Sequence, residues 1–304
     1  MDKDKQLAFV LGGGGARGAL QVGALQALLE ADIHPNMLVG TSIGAVNATY
    51  LALHGFDQLG LDGLVAAWHD AAQADLLPSN YLWLTVRSLF KRPSSYSSHR
   101  MRDFFIAHGL QPHHRFAEIN DFRLILVAAD LNSGGPVLYG QDPQDSLLEG
   151  LLASTSLPPW VPLVEQGGRL LIDGGVVSNL PIEPAMACGA SEIFALDLFD
   201  PRSVQSQSHN FPTFLNKFLC TVEQRQIELE LNLAAVRGVV VHRIMLQAPM
   251  LIPVWDFRHT TELIALGYEI TRQEIARSGL ARKRSWREWL PRFAHKIISP
   301  FNKG

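Results

Sequence analysis

The residues best placed for chemistry are Gly40-Thr41-Ser42-Ile43-Gly44, a G-x-S-x-G run between a short apolar segment, Met37-Leu38-Val39, and a second apolar stretch, Ile43 to Leu53. A serine on a sharp strand-to-helix turn lifts its hydroxyl clear of the sheet, and flanking glycines let the turn close and a carbonyl approach. The helix that follows points its positive end at charge developing there. This reads Ser42 as a nucleophile, with Gly40 and Gly44 supporting it. The plainer use of such a serine is as an ordinary helix cap.

A second run, Gly12 to Gly18 (GGGGARG), joins an apolar strand at Leu7 to Leu11 to a helix. Gly13, Gly15 and Gly18 spell G-x-G-x-x-G, a dinucleotide fingerprint, with Asp32 as its acidic residue. Asp32, however, precedes a proline-containing connection and does not close the next strand. No GK[ST] follows, so this is not a nucleotide P-loop. Successive glycine N–H groups at a helix start also make an anion cradle, and an oxyanion is such an anion. Gly13, Gly14 and Gly15 are candidate donors, and Arg17 adds charge or anchors the loop. A third run, Asp173-Gly174-Gly175, closes the strand Arg169 to Ile172, where doubly wound sheets keep their sites.

Together these blocks resemble a known family. The GGGARG loop, GTSIGA at 40–45, ASTSLP at 153–158 and DGG followed by Asn179 and Pro181 stand in the order of the patatin-like phospholipases over residues 7 to 181. DFRHTTELIALGYE at 256–269 is similar to that family's C-terminal helix. The resemblance implies Ser42 as nucleophile and Asp173 as its partner, with Gly13, Gly14, Gly15 and Arg17 around the oxyanion. It also implies hydrolysis of acyl esters of phospholipids or neutral lipids, with no metal and no cofactor.

A free carboxylate near pKa 3.9 is a poor base for a hydroxyl. It serves if proton removal is concerted with attack and the site is dry. A histidine triad is the rival: of eleven histidines, His242 and His259 follow Asp173, so the order Ser, Asp, His is available. Against it, the serine elbow comes after a single β-α unit. Two further rivals are a lipid-binding module that keeps the fold without turnover, and an NAD(P)-dependent oxidoreductase.

The elements that must position these groups alternate β-α-β-α over the first fifty residues, and strands resume at 122–129, 137–139, 169–172, 193–198 and 239–246. Helices are expected at 144–153, 181–188, 213–236 and 260–277, and 57–110 reads as helical with a polar break at 91–99. The pattern predicts an α/β fold, a mostly parallel central sheet with helices on both faces in three layers. With 304 residues, 47% of them apolar, the chain can bury a large core. The net charge of −3 argues against nucleic acid as a partner. Two cysteines and no metal-ligand spacing fit a reducing compartment, and the N-terminus reads as no signal peptide. No run reaches the roughly 20 apolar residues of a membrane span.

Two domains are expected: 5–280 as the α/β hydrolase unit and 281–304 as a basic tail. The tail carries seven Lys and Arg against one Glu, a net of +6, with Trp286, Trp289, Leu290, Phe293, Ile297 and Phe301 at helical spacing. One use is docking on its own domain. The other is lying on an anionic membrane surface, which would make a cytoplasmic protein peripheral on the membrane's inner face. Residues 76–98, rich in Leu, Tyr, Trp and Phe over 76–90, read as a cap over an acyl pocket or as a buried helix.

Overall fold

The computed structural model describes residues 6–74, 95–158, 161–204 and 211–280. Of the expected cap at 76–98, residues 76–94 lie outside the described residues, as does the tail from 281. Eight strands form one sheet: β1 (Leu7–Leu11), β2 (Met37–Thr41), β3 (Arg123–Asp130), β4 (Gly135–Tyr139), β5 (Val164–Gln166), β6 (Arg169–Asp173), β7 (Glu192–Asp197) and β8 (Val240–Met245). Among the described residues, the helices of four residues or more, short 3₁₀ turns aside, are α1 (Ala19–Glu30), α2 (Ile43–His54), α3 (Gln58–Gln73), α4 (Ser95–Ala107), α5 (Leu147–Ser154), α6 (Ile182–Ala187), α7 (Phe211–Arg237) and α8 (Thr260–Ser278).

The strand order is β5-β6-β3-β2-β1-β7-β8, with β4 on the free side of β3. Neighbours from β3 through β2, β1 and β7 to β8 are parallel, whereas β3–β4, β3–β6 and β5–β6 are antiparallel. The pleat sends alternate side chains to opposite faces. Phe9, Leu11, Leu38, Leu124, Leu126, Phe194 and Leu196 face one core with α1 and α8. Ala8, Val10, Met37, Val39, Ile125, Val127, Ile193 and Ala195 face a second core under α6 and α7. Both faces are therefore covered, which is why the central strands read as continuous apolar runs.

The structure departs from expectation in detail. The helix expected from residue 144 starts at Leu147, because the Ser146 hydroxyl accepts from Glu149 N at 3.4 Å and caps it there. Helix α4 begins at Ser95, inside the expected polar break. Strand β5 (Val-Glu-Gln) was not expected: it is three residues long and carries one apolar side chain.

The register of β3 builds the site. Its residues 123–127 pair with β2, ending at Thr41 opposite Val127. Residues 126–130 pair with β4, so β2 and β4 lie on opposite edges of β3. Residues 128–130 pair with β6, which must therefore lie on the β2 edge, with Asp173 opposite Ala128. Strands β2 and β6 thus meet head-on along one edge of β3. Ser42 follows the last residue of one, and Asp173 is the last residue of the other.

Candidate active site

Ser42 occupies the turn between β2 and α2 with φ 56 and ψ −124, a left-handed conformation unusual for a residue with a side chain. Its N–H donates to Ser154 Oγ at 3.0 Å, and Ser154 Oγ donates in turn to Val127 O at 2.6 Å. The strain is held from outside, as it must be to persist. Such tightness explains the two flanking glycines. A Cβ on Gly44 would stand 2.0 Å from Leu11 O, and one on Gly40 would stand 2.5 Å from Gly44 O. Gly44→Ala is expected to cost at least about 2 kcal/mol, since the obstacle is backbone and cannot rotate away. A urea unfolding curve with a wild-type midpoint would contradict this.

Asp173 is buried, 3% exposed. Its Oδ1 accepts from Gly175 N at 2.8 Å, and its own N–H donates to Ser156 O at 2.9 Å. Oδ2 is buried and closes no hydrogen bond of full geometry, although the Ser42 hydroxyl is near enough to favour the ionised carboxylate. Burial dominates and pushes the group up to about 6, opposed by Ser42 and the Gly175 N–H. The ASTSLP block acts on both partners: Ser154 braces the Ser42 turn and Ser156 braces Asp173.

The glycine turn lies beside them. A Cβ on Gly13 would be 3.1 Å from Ser42 Cβ and 2.3 Å from Asn179 Oδ1. Gly13, expected among the oxyanion donors, turns its N–H to Asn179 O at 3.0 Å. Among the described residues, the N–H groups of Gly14 and Gly15 have no acceptor. Gly15 takes φ +57, and Ala16 N donates to Val254 O at 2.8 Å, which closes the turn. Arg17 Nε donates to Gly14 O at 3.2 Å, and its charge acts on Asp197, Asp200 and Glu223. Of its two expected uses, anchoring the loop is the one its bonds describe. Gly18 packs on Ile43 and Trp68, and Gly174 on the carbonyl of Val127.

Sequence reasoning passed over the polar network behind this turn. Buried Gln21 donates to Gly12 O at 2.8 Å and to Leu196 O at 3.2 Å. Asn47 donates to Gly18 O at 3.2 Å and to Gln21 Oε1 at 2.9 Å, and it accepts from Trp68 Nε1 at 2.9 Å. Both ends of the loop are thereby tied to α1, α2 and α3. The available signal was an amide set among mostly apolar residues in each of two helices, Gln21 in α1 and Asn47 in α2.

Glu223 of α7, also passed over, accepts from Asn179 Nδ2 in a short hydrogen bond. Burial pushes its carboxyl up to about 7, with Arg17 opposing, Asp197 adding, Asn179 opposing and Asp173 adding.

The histidine-triad and dinucleotide readings find no support in the geometry. His242, on edge strand β8, bonds Glu192 Oε1 at 2.9 Å, and Glu192 lies at the start of β7, the end of the sheet away from Ser42. His259 precedes α8, and neither histidine lines the cavity described below. Asp32 sits in an exposed turn bonded to His34 at 3.2 Å, after α1 and before β2, at the end of the sheet opposite the glycine turn. Among the described residues no group of three or more His, Cys, Asp or Glu has the arrangement to hold a metal.

Ser42, Asp173 and the glycine turn open onto a cavity of about 500 Å³. Its wall is Ile43, Val46 and Tyr50 of α2, Leu64 and Trp68 of α3, and Phe104 and Phe105 of α4. The lining is overwhelmingly apolar, of the size that accepts small organic ligands.

A strand-borne serine elbow, a buried aspartate and a glycine turn thus stand together over an apolar cavity in an α/β fold. The family model for patatin-like phospholipases matches residues 9–186, and the chain belongs to that family. It is 29% identical over 197 residues to mouse patatin-like phospholipase domain-containing protein 7, covering 63% of this chain and 13% of that protein. It is 30% identical over 200 residues to the lysophospholipase NTE1 of Candida glabrata, covering 63% and 10%. An uncharacterized NTE family protein of Mycobacterium tuberculosis is 29% identical over 194 residues, covering 64% and 30%. The chain thus matches 10% to 30% of the length of these relatives. Among solved structures, human GIVD cytosolic phospholipase A2 gives a TM-score of 0.44 at 12% identity, covering 92% of this chain and 60% of that one. VipD from Legionella pneumophila gives 0.43 at 12%, covering 90% and 67%. No helix among the described residues is long and apolar enough to cross a membrane.

Proposed function

We propose that this chain is a serine-dependent lipid acyl hydrolase working through a Ser42–Asp173 dyad. The observation that carries the reading is the head-on meeting of β2 and β6 on one edge of β3, under a glycine turn with two N–H groups to spare, at the mouth of an apolar cavity. The lysophospholipase among the relatives supports a phospholipid or lysophospholipid ester as substrate.

In this mechanism Ser42 Oγ attacks the ester carbonyl carbon as its proton passes to Asp173 Oδ2. The oxyanion is met by the Gly14 and Gly15 amides and by the positive end of α2. Asp173 returns the proton to the departing alcohol. Water then attacks the acyl carbon as its proton passes to the same carboxylate; the C–Oγ bond breaks, Ser42 Oγ takes that proton back, and the fatty acid leaves. The chain of the acyl group lies along α2, where each methylene taken from water contributes about 0.8 kcal/mol.

A fluorophosphonate probe tests the reading. Labelling should be stoichiometric, and the modified peptide should carry the adduct on Ser42. Saturable lipid binding with no label and no ester turnover would instead make the chain a non-catalytic lipid-binding module.

The basic segment 281–304 is proposed to bring the chain to anionic membrane. The 304-residue chain should bind phosphatidylglycerol vesicles at low salt and lose them by roughly 0.5 M salt, where the Debye length is well under 10 Å. Deleting 281–304 should abolish that salt-sensitive part, and equal binding without the segment would sink the idea.

A further inference from the structure

Helix α7 carries polar groups that the dyad mechanism does not use, and they face the site. Three of its side chains hold the stretch that follows Asp173. Gln226 Nε2 donates to Val176 O at 2.6 Å. Glu230 accepts from the Ser178 hydroxyl at 2.6 Å and from Glu183 N at 2.7 Å. Glu223 accepts from Asn179 Nδ2. That stretch in turn touches the reacting parts. Ser178 O accepts from Thr41 Oγ1 at 2.9 Å, one residue before Ser42, and Asn179 O accepts from Gly13 N.

We propose that Glu223 is a positioning residue: it fixes the orientation of the Asn179 amide, and through it the Gly13 end of the glycine turn, against Ser42. The proposal rests on the hydrolase reading above for its catalytic consequence.

The bonding fixes which way the Asn179 amide faces. Its Nδ2 has two hydrogens. One goes to Gly13 O at 3.4 Å and the other to Glu223 Oε1. Its Oδ1 lies where a Cβ on Gly13 or Gly175 would be, at 2.3 and 2.9 Å. A half-turn of the amide would set Oδ1 against the Gly13 carbonyl, oxygen against oxygen. Glu223 accepts from Nδ2 here, and once ionised, above about pH 7, it can only accept, so it selects the observed orientation. Arg17 works from the other side: it holds Gly14 O, and its charge favours ionised Glu223. The two consecutive carbonyls of the turn, Gly13 and Gly14, are thus each held by a side-chain donor. The next two N–H groups outward from Asn179's grip are those left free for an oxyanion.

Helix α7 does not depend on Glu223 for its place. Glu230 and Gln226 bond the same stretch, and Ile227 and Ala234 are buried in the core beneath it. Loss of Glu223 should therefore loosen the turn without undocking the helix.

The test compares wild type, Glu223→Ala and Glu223→Gln on a chromogenic short-chain ester, with hydrogen exchange of the peptide spanning Gly12–Arg17. Glutamine keeps an acceptor oxygen, and alanine does not. Glu223→Ala should lower kcat by about 10- to 100-fold, the range a displaced catalytic group costs, with KM changed by less than about threefold. Its Gly12–Arg17 peptide should exchange faster while the remaining peptides keep their protection. Glu223→Gln should recover most of both. Wild-type kcat and wild-type exchange in Glu223→Ala would overturn the proposal, as would equal losses in the alanine and glutamine variants. If wild type turns over no ester, the hydrolase reading fails, and the exchange data alone decide whether Glu223 braces the turn.

Discussion

Alanine at position 42 is expected to lower kcat/KM for ester hydrolysis by at least about 10⁴-fold, the scale on which loss of a serine nucleophile is felt, and to abolish fluorophosphonate labelling. The variant should fold normally, because the hydrogen bonds that shape the elbow go through the Ser42 backbone N–H and survive the loss of the hydroxyl. Glycine at the same position separates chemistry from strain. Ser42 sits at φ 56, a conformation costing on the order of 1 kcal/mol or more for a residue with a Cβ. Ser42→Gly should therefore be as inactive as the alanine variant, yet more stable than it by roughly that amount. Thermal unfolding of the three proteins at one pH checks both claims. Undiminished turnover in the alanine variant would end the nucleophile assignment, and a glycine variant no more stable than alanine would mean the turn is not strained.

Much of this arrangement is legible in the chain because it is written in period and punctuation. The strands β1, β2, β3 and β7 announce themselves as short apolar runs, since a strand buried on both faces need not alternate. The elbow and glycine turn announce themselves because close backbone approach tolerates no side chain, as Leu11 O does at Gly44. What the chain does not announce is pairing. Strand β6 could have joined any edge. That it runs antiparallel along the remaining length of β3, in line with β2, is a fact of tertiary contact, and it alone brings residues 42 and 173 together. The one local hint is length: β3 has eight residues against five in β2, so part of its edge is left for another strand.

The bracing groups are illegible for a different reason. Glu223, Gln226 and Glu230 lie in Thr-Val-Glu-Gln-Arg-Gln-Ile-Glu-Leu-Glu, which reads as a solvated helix surface. Only the spacing of Glu223, Ile227, Glu230 and Ala234 on one helical face would have marked them as inward. Gly13 shows the converse. It reads as an oxyanion donor, but the acceptor of its N–H, the Asn179 carbonyl, lies 166 residues away and leaves no local trace.

Asp173 to Asn should produce opposite effects on activity and stability, and the pH dependence of each follows from burial of one carboxyl. Burial raises Asp173 from the ordinary carboxylate range to about 6. As a base it must be ionised, so wild-type kcat/KM should rise about tenfold per pH unit up to about 6 and level off above it. Asparagine removes the base, and activity should fall at least about 10³-fold at every pH. The stability sign is the reverse. A group whose pKa is higher folded than unfolded favours the native state while protonated, and that contribution is lost as pH rises through the folded value. Two units correspond to about 3 kcal/mol, which wild type forgoes above pH 6 and asparagine, a neutral mimic still able to accept from Gly175 N, does not. The asparagine variant should therefore come close to wild type in stability near pH 4, gain on it as pH rises from about 4 to about 6, and keep that margin unchanged to pH 8. Denaturant unfolding at pH 4, 6 and 8 reads this directly. A stability difference that stays flat with pH would mean that Asp173 is not held out of its ordinary range, and the carboxyl would then lack the basicity that the dyad demands of it.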